Sequence, residues 1–223
     1  MKSYIYTVRN NIHILDLAKT RASLLKAASF VSDRAAVGGT VLFVGTKRQS
    51  RESIKQAAEA CDMPYVTARW LGGTFTNFRT IQKTIRKLEK LQELKVTGQL
   101  EAQYTKKERL LIEREMIKLE KLFEGIKNMR KLPDAIFVSA VEHDSTAVLE
   151  ARKMHVPVIG LVDSNSDPRY IDFPIPCNDD ATKAVALVAG AISEAIAEGR
   201  HRFSAGAAVA AAKAEKEEAE QKN

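Results

Sequence analysis

Thr40-Val41-Leu42-Phe43-Val44, followed at once by Gly45-Thr46, is the stretch that decides the architecture. A continuous apolar run of this length, rich in β-branched and aromatic residues and bounded by glycines, suits a strand buried on both faces of a parallel sheet. Upstream, Ile12-His13-Ile14-Leu15 reads as a short strand, and Asp16 is placed to cap the helix that follows. Leu17, Arg21, Leu24, Ala28 and Val31 recur at four-three spacing, which predicts an amphipathic helix to about Ala36, broken by Gly38-Gly39. Downstream, a second helix is predicted to open directly after Gly45-Thr46 and to bury Ile54, Ala57, Ala58 and Cys61. The same alternation returns at Pro133-Asp134-Ala135-Ile136-Phe137-Val138, then a helix capped by Ser145 and ending near Met154, then Pro157-Val158-Ile159-Gly160-Leu161-Val162. After Pro174-Ile175-Pro176, an Asp-capped helix carries Ala181, Val185, Val188, Ile192 and Ala195 on one face. Strands alternating with helices predict an α/β fold, a doubly wound parallel sheet with helices on both sides. Its body is discontinuous, 1–78 and 132–205.

Residues 79–131 interrupt that pattern and contain no proline. Ile81, Ile85, Leu88, Leu91 and Leu94 line one helix; Ile112, Met116, Leu119, Phe123 and Ile126 line another. With Val96-Thr97-Gly98-Gln99 as the turn, this predicts an inserted antiparallel helical, coiled-coil-like hairpin. Each helix has a single apolar stripe, so the hairpin is expected to project rather than lie flat on the sheet. The last segment, 206–223, is rich in Ala, Glu and Lys and is expected to fray or to be disordered.

Charge is distributed as unevenly as apolarity. The 223 residues carry a net +7. Residues 79–131 hold 15 Lys/Arg against 8 Asp/Glu, and residues 132–206 hold 6 against 11. A gradient this steep points to a polyanion on one side of the molecule, and nucleic acid is the commonest one. No apolar run of about 18 residues is present, so no membrane span is expected. Met1-Lys2-Ser3-Tyr4-Ile5 leads into a polar segment, and no signal peptide is expected. Cys61 and Cys177 are far apart and read as buried free thiols.

Candidate sites follow the charge. Gly45-Thr46-Lys47 lacks the spacing of a phosphate loop. Lys47, Arg48 and Arg51 are nevertheless expected in a first helical turn, where the dipole disfavours cations unless an external phosphate lies among them; plain solvation is the alternative. Arg69-Trp70-Leu71-Gly72-Gly73-Thr74-Phe75-Thr76-Asn77-Phe78-Arg79 holds the single tryptophan among basic residues. Its arginines suit RNA, while Trp70 is read as a core anchor. On the hairpin, Arg79, Lys83, Arg86, Lys87, Lys106 and Lys107 complete the expected RNA-binding set. His13, His143, His155 and His201 are scattered and show no metal-ligand spacing. Asp163, Asp179 and Asp180 lie in predicted strand-end loops, where Mg²⁺ or Zn²⁺ could be held; turn formation and helix capping explain the same residues and are the favoured reading. No catalytic constellation is visible, and no cofactor is required.

Several stretches together resemble one family, the bacterial small-subunit ribosomal protein two. They are Ile12-His13-Ile14-Leu15-Asp16-Leu17 with Lys19-Thr20, Leu42-Phe43-Val44-Gly45-Thr46-Lys47-Arg48, Arg69-Trp70-Leu71-Gly72-Gly73 with Thr76-Asn77, Leu132-Pro133-Asp134-Ala135, Val162-Asp163-Ser164-Asn165-Ser166-Asp167-Pro168 and Asn178-Asp179-Asp180-Ala181. They run in order to about Arg202. The resemblance implies a flavodoxin-like sheet with a protruding hairpin, bound to small-subunit ribosomal RNA near the head–body junction in the cytoplasm. It also implies neighbouring small-subunit proteins as partners, among them the large OB-repeat protein that captures messenger RNA, and no free homo-oligomer. One departure is that the family's usual Gly-His start has no counterpart, so Met1-Lys2 is expected to fall inside the family's sequence; a cation site using that histidine would lack a ligand. An α/β enzyme handling nucleotides or sugar phosphates would need the phosphate loop or paired catalytic groups that are missing. A free coiled-coil adaptor is disfavoured by the basic hairpin, because protein interfaces are depleted in lysine.

Overall fold

The computed structural model describes the backbone of residues 1–220 and all side chains there except those of residues 2, 102 and 206–220. Five parallel strands form the sheet: β3 (Val41–Val44), β4 (Tyr65–Val66), β5 (Ala135–Val138), β6 (Val158–Val162) and β7 (Phe173–Pro176). Their spatial order, β4-β3-β5-β6-β7, is that of a flavodoxin-like doubly wound sheet. Phe43 pairs with Phe137, and Phe137 with Ile159, so the apolar runs are in register across the centre. β7 contains two prolines, which is compatible with its place at the sheet edge, where one row of donors is not needed.

Alternate side chains point to two cores. Val41, Phe43, Phe137, Ile159 and Ile175 pack under α1 (Leu17–Ala35), α2 (Arg51–Ala60) and α7 (Thr182–Glu220). Leu42, Val44, Ile136 and Val138 pack under α6 (Ser145–Lys153) and the base of the hairpin. The hairpin consists of α3 (Phe78–Val96), a short α4 (Gln99–Gln103) and α5 (Lys106–Phe123). Its distal part projects as expected, but Ile81, Ile85, Phe123, Ile126 and Met129 belong to the body's second core. Gly125 makes this possible: a Cβ there would collide with the Tyr65 carbonyl oxygen and ring, so only glycine lets the chain approach the β4 edge so closely.

Several local expectations are corrected. Ile12–Leu15 (β2) is outside the main sheet and pairs antiparallel with β1 (Ile5–Arg9). The cause is Asn10-Asn11, both at positive φ (50° and 60°), which turn the chain into a hairpin. The hairpin connection turns twice, at left-handed Gly98 and again at Thr105, whose side chain and Glu108 form a capping box for α5. Asp144, not Ser145, precedes α6. The Asp cap proposed for α7 is absent because Asn178 Oδ1 accepts from Asp180 and Ala181 N–H, while Asp179 and Asp180 face Lys47. Asp16 does cap α1, accepting from Ala18 and Lys19 N–H. Of the expected tail, α7 continues through residue 220, and 221–223 lie outside the described residues. No described helix is long and apolar enough to cross a membrane.

Candidate nucleic-acid interface

The loop from Arg69 to Asn77 is organised by one buried carboxylate. Glu150, on α6, is 8% exposed. Its Oε1 accepts from Gly73 N–H at 2.7 Å and Trp70 Nε1–H at 3.3 Å; its Oε2 accepts from Phe75 N–H at 2.9 Å, Thr76 N–H at 3.2 Å and the Thr76 hydroxyl at 3.3 Å. Burial opposes the negative charge, but these backbone donors and the indole outweigh it and hold the carboxyl below the ordinary glutamate value. Gly73 sits at φ 90°, a conformation that lets successive N–H groups converge on the carboxylate. Trp70 is buried and meets Phe75 edge-on at 5.1 Å, so the tryptophan is an anchor, as read from sequence, and Arg69 beside it is left exposed. Glu150 escaped the sequence reading. Its signal was a lone acid inside the apolar stripe Ala147, Val148 and Ala151, where only a satisfied charge is tolerated.

At the carboxyl end of β3 the expected helix does not begin at Thr46. Thr46 is tied to buried Asp144 through its N–H (3.2 Å) and hydroxyl (2.6 Å), which holds the chain across the strand ends. A turn closed by Ser50 onto the Lys47 carbonyl then delays α2 until Arg51. Only Arg51 of the three cations therefore lies at the helix start. Its Nε donates to the Thr46 carbonyl and its Nη2 reaches the Ala68 carbonyl at 3.4 Å, which places it beside Arg69. Burial raises the Asp144 pKa, with the Thr46 hydrogen bonds pulling the other way.

Lys47 turns inward. Its ammonium lies 2.7 Å from Asp179 and 2.8 Å from Asp180. Burial works against its charge, but the two carboxylates more than compensate and raise its pKa above the ordinary lysine value. Asp163, Asp179 and Asp180 do come together, with one oxygen from each within 4.8 Å of the others. The nearest positive charge in that group is the chain's own lysine. Arg48 by contrast is exposed and has no ion pair among the described residues.

The hairpin sorts its cations in the same way. Lys87 pairs with Glu115 at 2.7 Å, Lys95 with Glu113 at 3.1 Å, Arg109 with Glu101 at 3.4 Å and Arg130 with Glu89 at 3.8 Å. Arg79, Lys83, Arg86 and Lys90 are exposed and, among the described residues, have no acidic partner. Their four-three-four spacing puts them on one stripe of α3, opposite the buried Ile81, Ile85 and Leu88. At 1.5 Å per residue the stripe is about 17 Å long. Lys106 and Lys107 open α5, exposed, where the helix dipole favours an anion nearby.

Comparison with known proteins converges on one description. The family model for ribosomal protein S2 matches residues 1–199. The small ribosomal subunit protein uS2 of Sulfurimonas denitrificans is 50% identical over 206 residues, covering 92% of this chain and 79% of that protein. Its counterpart in Wolinella succinogenes is 50% identical over 200 residues, 90% and 73% of the two chains. The Helicobacter pylori protein of the same name is 47% identical over 199 residues, 89% and 75%.

Proposed function

The chain belongs to the ribosomal protein S2 family, structural and non-enzymatic components of the small ribosomal subunit, and from that premise we propose that it binds ribosomal RNA along the outward stripe of α3 and the strand ends beside it. The observation that carries this reading is the segregation of cations. Where an acid is within reach, as for Lys47, Lys87 and Lys95, the charge is neutralised inside the protein. Arg48, Arg69, Arg79, Lys83, Arg86 and Lys90 are left exposed without such partners among the described residues, and the loop ordered by Glu150 carries the basic surface from the strand ends into α3. Like charges at i, i+4 on a helix repel each other, so an unpartnered stripe costs stability unless phosphates lie along it. Lys106 and Lys107 extend the same chemistry to the hairpin's far end.

Replacing Arg79, Lys83, Arg86 and Lys90 with Gln tests this in a salt titration of binding to transcribed small-subunit RNA. Each phosphate that the variant no longer neutralises should flatten the log–log slope by about 0.7 to 0.9, so a decrease of roughly 3 is expected. The Lys87→Gln control should leave the slope in place. An unchanged slope in the quadruple variant overturns the assignment. The place of action is then the cytoplasmic ribosome, and the chain sediments with small subunits at low salt and leaves them at high salt. Recruitment of the OB-repeat, messenger-RNA-capturing protein is a second part of the reading and rests on the family resemblance. Small subunits assembled without this chain should then lack that protein.

A further inference from the structure

The distal half of the hairpin carries a second surface whose chemistry differs from that of the α3 stripe. Two hollows, of about 450 and 280 Å³, lie along it, both bordered by the Lys95–Glu113 ion pair. Leu100, Arg109 and Leu110 line the first; Val96, Met116 and Ile117 line the second. Val96, Leu110 and Ile117 are 88%, 49% and 66% exposed, although the hairpin has its own apolar seam in which to bury such residues. Leu110 and Ile117 are two turns apart on α5, about 10 Å, the spacing of successive anchors on a partner helix.

From this surface we infer that the distal hairpin docks an acidic amphipathic helix of another protein, with apolar side chains seated beside Leu110 and Ile117. Charge selects the sign of the partner. Lys95, Lys106 and Arg109 border the larger hollow together with Glu101 and Glu113, and Arg109 gives only Nη1 to Glu101, its Nε having no acceptor among the described residues. Arg114, Lys118 and Lys121 stand exposed along the same helix. RNA does not fit, because the exposed aliphatic side chains of Val96, Leu110 and Ile117 offer a phosphate nothing. A second copy of the chain does not fit either, because each hairpin carries 15 basic against 8 acidic residues and two would repel.

The test uses the full chain and a fluorescein-labelled 21-residue helical peptide with Leu at heptad a and d and Glu at the flanking positions. A sister peptide with Lys at those flanks serves as its charge-reversed counterpart. Anisotropy should show binding of the Glu peptide, at least tenfold weaker for Leu110→Ser/Ile117→Ser and severalfold weaker for Arg109→Gln, and no binding of the Lys peptide. Both sets of substitutions are at partly exposed positions, and affinity for transcribed ribosomal RNA should stay within twofold of the parent, which separates this surface from the RNA stripe. The inference is overturned by any of four results: no binding of the Glu peptide, equal binding of both peptides, a double variant that keeps full peptide affinity, or one that loses RNA affinity in proportion. A concentration-dependent dimer abolished by the double variant would assign the face to a second copy and overturn it too.

Discussion

Removing the Glu150 carboxylate should unfasten the Arg69–Asn77 loop. In Glu150→Ala, five donors are left without their acceptor. Gly73 and Thr76 are partly or fully exposed and can turn to water, but Phe75 N–H and Trp70 Nε1–H are on residues 1% and 8% exposed. A buried donor stranded in this way costs about 1–3 kcal/mol. Two of them, with the weaker contributions of the others, put the loss at about 3–5 kcal/mol, a large share of the roughly 5–15 kcal/mol that holds a domain folded. Glu150→Gln keeps one acceptor but aims an NH₂ group at N–H donors, and about 1–3 kcal/mol is expected. Trp70 is the single tryptophan, so its fluorescence during urea unfolding reports on this site directly. The carboxyl pKa is depressed in the folded state, so its contribution is present above the ordinary value of 4.5 and is lost as pH falls through the folded value. The gap between parent and Glu150→Gln should therefore narrow on acidification below about pH 4.5. A Glu150→Ala protein within about 0.5 kcal/mol of the parent, or a gap that widens in acid, would refute the view that this carboxylate organises the loop.

Deleting residues 80–130 behind a Gly/Ser link should leave a body that does not fold, because Ile81, Ile85, Phe123, Ile126 and Met129 leave the second core with it; circular dichroism and urea melts read this. Deleting only residues 92–113 should leave a cooperative transition, since the core residues at the base remain. Asp163, Asp179 and Asp180 are proposed to take Mg²⁺ or Zn²⁺ only when the Lys47 ammonium gives way; Lys47→Ala should then melt lower without metal and gain more from added cation than the parent does. Melting temperatures insensitive to cation and chelator in both proteins would leave ion pairing with Lys47 as the role of these carboxylates.

The periodicities that can be read from the chain are those dictated by burial next to a rigid backbone. Val41–Val44, Ala135–Val138 and Val158–Val162 announce themselves as strands because both of their faces must be apolar, and the hairpin because its stripes repeat at helical spacing. The two-residue β4 and the proline-bearing β7 carry no such signature, because edge strands are short and half relieved of hydrogen-bonding duty. Charge content, too, is a property of the sequence: an excess of Lys and Arg up to residue 131 is visible in the chain alone. Which of those charges are free is not. Lys47 and Arg48 are neighbours of equal charge, yet one meets Asp179 and Asp180, brought from 132 and 133 residues away, and the other meets solvent. Glu150 likewise finds its donors 74 to 80 residues upstream. Patterning determined that this protein is an α/β domain with an inserted helical hairpin, and charge content that its excess of Lys and Arg lies before residue 132. Only the tertiary structure decided which of those charges are neutralised within the protein and which are left to solvent, because a charge is neutralised by whatever the fold brings within about 4 Å of it, and sequence distance says nothing of that.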